Sequence, residues 1–207
     1  MLIKWINCEV PEHKRIAFSY AQEQWKLLSN IDGFLGQVGG WDIDRPSKAG
    51  IISFWRDLPS YQFFMDFKHD RIFNENNQKN TYDSISVEIF EKKFNCNENN
   101  VIQMLKYTKM MRIGLCIVKK DRRKHFEDMQ KEIWNEGMSA HQDMLAGVFC
   151  ENNQQNNLVV SLWRNKNSHQ NYMDHTLPYL MKLSNVKDDV IEIQGSVLKL
   201  NETWSVL

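Results

Sequence analysis

The chain has 207 residues, 42% hydrophobic and 25% charged, the make-up of an ordinary folded protein of one large or two small domains. Its 26 basic and 26 acidic residues cancel, which argues against a nucleic acid or an anionic membrane held by bulk charge. No apolar run approaches the length of a membrane span, and Met1–Ile6 lacks the basic-then-apolar pattern of a signal peptide. Cys8, Cys96, Cys116 and Cys150 form no C-x-x-C pair, so a reduced, cytoplasmic setting is expected, with Cys8, Cys116 and Cys150 as small buried hydrophobes.

In chain order, residues 2–9 are short, β-rich and partly alternating, and predict a strand. Pro11 suits a helix first turn, and Ile16, Tyr20, Trp25, Leu27 and Leu28 recur at helical spacing, which predicts an amphipathic helix over 11–29. Asp32-Gly33 turns the chain into a strand over 34–43, where Gly36, Gly39 and Gly40 weaken the strand or admit a bulge. Arg45-Pro46-Ser47 forms a hairpin tip before a third strand over 49–55. Pro59 and Ser60 open a second helix running to about residue 76, with Phe63, Phe64, Phe67, Ile72 and Phe73 on its apolar side. Ile85, Val87 and Ile89 alternate in a fourth strand over 82–93. The polar, turn-prone run Asn95–Asn100 reads as a linker over 95–103. Beyond it come a strand 105–118, a helix 121–137, strands 144–150 and 157–164, a helix 168–185 and a strand 188–200.

The second series repeats the first at an offset of 108 residues. Ser53-Phe54-Trp55-Arg56 recurs as Ser161-Leu162-Trp163-Arg164, and Ser60, Gln62, Met65 and Asp66 recur as Ser168, Gln170, Met173 and Asp174. Cys8, Phe18 and Gln22 pair with Cys116, Phe126 and Gln130 at the same offset. Phe34-Leu35 aligns with Met144-Leu145 once two residues are added to the second copy. The fold class is therefore α+β: two tandem ferredoxin-like β-α-β-β-α-β modules, 1–94 and 104–207. Helices cover one face of each sheet, and a second similar sheet is the simplest cover for the other. The chain is thus expected to close as an intramolecular dimeric α/β barrel, a monomer that is its own pseudo-dimer, with at most a weak further homodimer.

An Asn in the first strand, Ile31-Asp32-Gly33-Phe34 at the second, and Phe54-Trp55 followed by Ser60 and a Phe-rich helix resemble the dimeric α/β-barrel superfamily. The nearest branches are the antibiotic-biosynthesis monooxygenases and the haem-degrading monooxygenases, and the whole chain is similar to the YdbC-like proteins of Gram-positive bacteria. In the haem-degrading branch the resemblance implies a strand Asn, a helix Trp and an iron-ligating His about ten residues later. Here those positions hold Asn7, Phe64 and Asn74, so two of three depart. His69 stands five residues before position 74, about 500° of helical turn and therefore about 140° away from it. The cofactor-free monooxygenase branch implies an apolar pocket with a few polar groups that position and deprotonate an aromatic substrate, with no metal or added cofactor.

Asn7, matched by the resemblance, is the expected polar anchor; His69, the only His in the first module's second helix, is the expected base; and Trp5, Trp41 and Trp55 from adjacent strands, with Phe63, Phe64 and Phe67 from the helix over them, are the expected walls. The second copy has Leu115 and Leu177 where the first has Asn7 and His69, which points to the first module as the site and the second as its fixed partner. The expected function is binding of an apolar small molecule, with cofactor-free oxygenation as its enzymatic form. The alternative is a non-catalytic ligand-binding or stress-response module of the same fold. No P-loop, dinucleotide fingerprint, zinc-deaminase signature or nucleophile elbow is present.

Overall fold

A computed structural model describes residues 1–207. In the first module β1 (Leu2–Glu9) lies between β3 (Lys48–Trp55) and β4 (Ser84–Asn95), antiparallel to both, and β2 (Phe34–Asp42) pairs with β3. The register is Lys4 opposite Ser53 and Ser53 opposite Gln37. A bulge between Phe34 and Gly36 breaks the β2–β3 register, and Gly36 takes φ 153°, a conformation open to glycine.

The first helical stretch is split into a 3-10 turn (Glu12–Lys14), α1 (Arg15–Glu23) and a second 3-10 turn (Gln24–Asn30). Its buried stripe is Phe18, Ala21, Gln22, Trp25 and Leu28, not the series beginning at Ile16. Ile16, Tyr20 and Leu27 face solvent, because the i, i+3, i+4, i+7 seam through Phe18 meets the sheet and theirs does not.

The second stretch consists of α2 (Leu58–Phe64), a π turn (Met65–His69) and α3 (Asp70–Glu75). Asp57 caps α2 by accepting from the Ser60 N–H at 2.9 Å, and such a cap contributes about 1 kcal/mol. The second module carries the same device. It comprises α4 (Val101–Met104), β5 (Met110–Val118), α5 (Arg123–Met129), a π turn (Gln130–Trp134), α6 (Asn135–Ser139), β6 (Met144–Glu151), β7 (Asn156–Trp163), α7 (Lys166–Asn171), a π turn (Tyr172–Thr176), α8 (Leu177–Leu183), α9 (Val186–Asp189) and β8 (Val190–Leu200). Asn165 caps α7 through the Ser168 N–H at 2.8 Å, and a bulge at Met144/Ala146 matches the one at Phe34/Gly36. Hydrogen-bonded neighbours run β4-β1-β3-β2-β8 in the first unit and β5-β7-β6 in the second, all antiparallel, as in ferredoxin-like folds.

The chain divides into two compact units, Met1–Glu91 with Leu198–Leu207, and Lys92–Val197. Residues 95–103 are not a free linker. Asn95 ends β4, Cys96 is buried and donates its N–H to the Gly147 carbonyl at 2.8 Å, and α4 begins at an Asn100 cap. The last residues belong with the first unit. Trp204, fully buried, packs on Phe18 and Trp41, and its Nε1 donates to Ser19 Oγ at 2.9 Å. No helix is long and apolar enough to cross a membrane.

Candidate functional site

Strand alternation gives the first sheet two faces. Leu2, Lys4, Ile6 and Cys8 of β1 share the face that carries Ile51, Ser53 and Trp55 of β3. Ile3, Trp5 and Asn7 take the other face. Beneath the helices the first face borders a cavity of about 360 Å³, within the range of small-molecule sites. Its walls are aromatic: Trp25 from the first helical stretch, Trp55 from the sheet, and Phe64 and Phe73 from the second stretch. Trp55 stacks on Phe64 with centroids 4.9 Å apart, and each indole N–H nearby is satisfied. Trp55 Nε1 donates to Ser53 Oγ and Trp25 Nε1 to Gln78 Oε1, both at 3.1 Å. Ile85 and Val87 of β4, half-exposed, form part of the lining.

His69 reaches the cavity because of the π turn. Five residues along a regular helix would put Phe64 and His69 on different faces. The wider i→i+5 turn brings them together, with ring centroids 5.6 Å apart. His69 also stacks on Phe73 and lies beside Trp25. Its Nδ1 is 2.9 Å from Asp70 Oδ1. With the proton on Nδ1, that N–H donates to the carboxylate and Nε2 keeps its lone pair. Burial pushes the imidazole below its usual range, more than the Asp70 contact raises it, so the ring is neutral near pH 7.

Of the residues expected in the site, the structure brings together His69, Trp55 and Phe64. Asn7 and Trp5 are not in the lining, because odd-numbered positions of β1 face away from it; the Trp5 ring lies over Gly50 instead. Trp41 is on the correct face but at the far end of β2, where Phe18, Trp204 and the Arg15 guanidinium enclose it. Phe63 and Phe67 meet at a tilt on the solvent side of the helix. Asn74, at the iron-ligand position of the haem-degrading branch, is exposed, and Phe64 is packed under Trp55, so those positions supply no haem ligand.

Sequence reasoning missed Lys4, Gln37 and Gln22, which are buried and line the cavity. Lys4 is only 7% exposed, and burial without an opposing charge lowers its ammonium to about 8. The repeat carried a signal for it, since the 108-residue offset matches Lys4 with Arg112, a basic residue in an apolar strand twice over. Gln37 has no such signal, because its counterpart across the bulge is Gly147. Cys8 also lines the cavity, but burial pushes its thiol up to about 12, which leaves it protonated and inert.

The family model described as "Domain of unknown function (DUF4937)" matches residues 2–90, the part of the chain that carries the cavity. The uncharacterised protein YdbC of Bacillus subtilis (strain 168) is 47% identical over 93 residues, which cover 44% of this chain and 78% of the relative. Two solved structures share the whole fold at low identity. One is a proposed monooxygenase from Fusobacterium nucleatum (TM-score 0.76, 14% identity, 96% of this chain and 91% of that one). The other is an anthrone oxidase-like protein (TM-score 0.72, 11% identity, 97% and 91%). At such identities these two establish the architecture alone, whereas the YdbC match, close and covering most of that protein, establishes kinship: the chain belongs to the DUF4937 family.

Proposed function

We propose that the first module encloses an apolar aromatic small molecule and, acting as an enzyme, oxygenates it without a cofactor. The observation that carries this reading is the aromatic-walled cavity with a neutral, carboxylate-oriented imidazole on its wall. His69 Nε2 is a base for an acidic C–H or O–H of the ligand, and the packed rings hold that group in reach. An electron-rich carbanion formed there reacts with dioxygen directly. For a ring methylene the balance closes without a co-reactant. The methylene and one dioxygen become a carbonyl and one water, and all four electrons come from the substrate. The likeness to an anthrone oxidase-like protein suggests the first compound to try.

The test is titration of the protein with anthrone, following tryptophan fluorescence for binding and dioxygen uptake with anthraquinone formation for turnover. Binding with turnover that is lost in His69→Leu supports the oxygenase. Binding without turnover favours the non-catalytic ligand-binding module. Failure of anthrone and related tricyclic ketones to bind overturns the reading.

A further inference from the structure

We infer that the floor of the first module's cavity is a seat for an anionic oxygen, so that its ligand is an aromatic acid or enol held as the anion. This rests on the cavity being a ligand site and adds what the ligand must carry.

Three adjacent strands place three donors in one row. Lys4 on β1 stands opposite Ser53 on β3, and Ser53 opposite Gln37 on β2. At about 4.8 Å between strands the row spans about 10 Å, and all three side chains line the cavity. The ends of the row are unmatched within the protein. Lys4 has no hydrogen bond or opposite charge to offset its burial; the group facing its Nζ is the Tyr61 ring, 5.5 Å to the centroid. Gln37 is 4% exposed, and its Nε2 has no hydrogen-bond partner. A buried ammonium and a buried amide N–H without acceptors are both costly. Between them, Ser53 Oγ accepts from Trp55 Nε1, which leaves its hydroxyl proton to donate.

The row is held in place. Gln37 is fixed at its backbone by two hydrogen bonds to Val206, of 2.8 and 2.9 Å. The cavity lining contains no aspartate or glutamate to compete for these donors. A ligand that fits an ammonium, a hydroxyl and an amide N–H on the floor, and aromatic rings above, is a flat aromatic body bearing a carboxylate, phenolate or enolate oxygen. In the second module the equivalent row is Arg112, Ser161 and Gly147, which has lost the amide.

The experiment is calorimetric titration of the intact protein with 2-naphthoate and with its neutral isostere 2-naphthamide, in the wild type, Lys4→Met and Lys4→Arg. Charge-assisted hydrogen bonds on this scale predict that naphthoate binds roughly ten- to hundredfold tighter. That preference disappears in Lys4→Met and survives in Lys4→Arg. Lys4→Met removes a buried unpaired charge, so loss of folding does not confound it. Equal affinities in the wild type, or a preference retained in Lys4→Met, overturn the seat and leave the aromatic cavity standing. Absence of binding by both compounds overturns the seat and the cavity reading together.

Discussion

The two modules share strand order, bulge, helix cap and fully buried tryptophan, yet the first holds a cavity of about 360 Å³ and the second a pocket of about 60 Å³ in the corresponding place. The difference lies in what meets beneath the helices. In the second module Leu177 and Met181 stand where the first has His69 and Phe73. Gly137 lets α6 approach α8 so closely that a Cβ there would lie 2.4 Å from Leu180. In the first module the matching region is a 3-10 turn carrying Trp25 and Leu28, and both border open space. One backbone plan thus serves as a container or as a packed block, according to a few side chains and the winding of one helix.

The largest expected effect comes from making the first module resemble the second at its base. His69→Leu should cut oxygenation of a turned-over ligand by roughly 10²–10⁴-fold, the contribution of a positioned base, while ligand affinity holds. Steady-state kinetics beside calorimetry check this, and unchanged turnover would remove His69 from the chemistry.

Next is the buried charge. Lys4→Met should stabilise the protein at pH 7 by about 3 kcal/mol, from the lowering of the ammonium from 10.5 to about 8. The sign follows from burial disfavouring the charged form. The wild type carries the whole penalty below pH 8 and sheds it as pH rises from 8 to 10.5, so the variant's advantage should shrink across that window. Cys8, Tyr61, Tyr82 and His69 share the cavity, and burial raises the Cys8 thiol and both tyrosines. The thiol and tyrosine contributions are common to both proteins and cancel in the difference, whereas His69, which the Lys4 charge helps to lower, titrates below this window. An advantage independent of pH would mean that Lys4 is solvated after all.

Gly137→Leu addresses the closed module. Overpacking against Leu180 costs roughly 1–3 kcal/mol, and helix propensity returns up to about 1, for an expected net loss of about 1–2 kcal/mol in thermal or urea unfolding. A neutral result would show that α6 and α8 separate easily and that the second pocket is adaptable. The smallest effect should come from Asn7→Leu, which copies Leu115. Asn7 is half-buried on the face away from the cavity, so stability should change by less than about 0.5 kcal/mol and affinity not at all. A loss of affinity would restore Asn7 to the site.

The sequence by itself determined the eight strands, because alternation and turn chemistry are local signals, and its short motifs carried the resemblance to the family. It also put Trp55 and Phe64 on elements whose existence was plain, the third strand and the second helix of the first module. Only the tertiary structure decided which face of β1 meets the helices, which exchanged Asn7 and Trp5 for Lys4 and Ile6; a one-residue change of phase inverts a strand and leaves its composition unaltered. It alone revealed the π turn that brings His69 beside Phe64, and the return of Trp204 and Val206 from the end of the chain to close over Trp41 and fix Gln37. Such contacts join residues far apart in the chain, and no periodicity along a single segment encodes them.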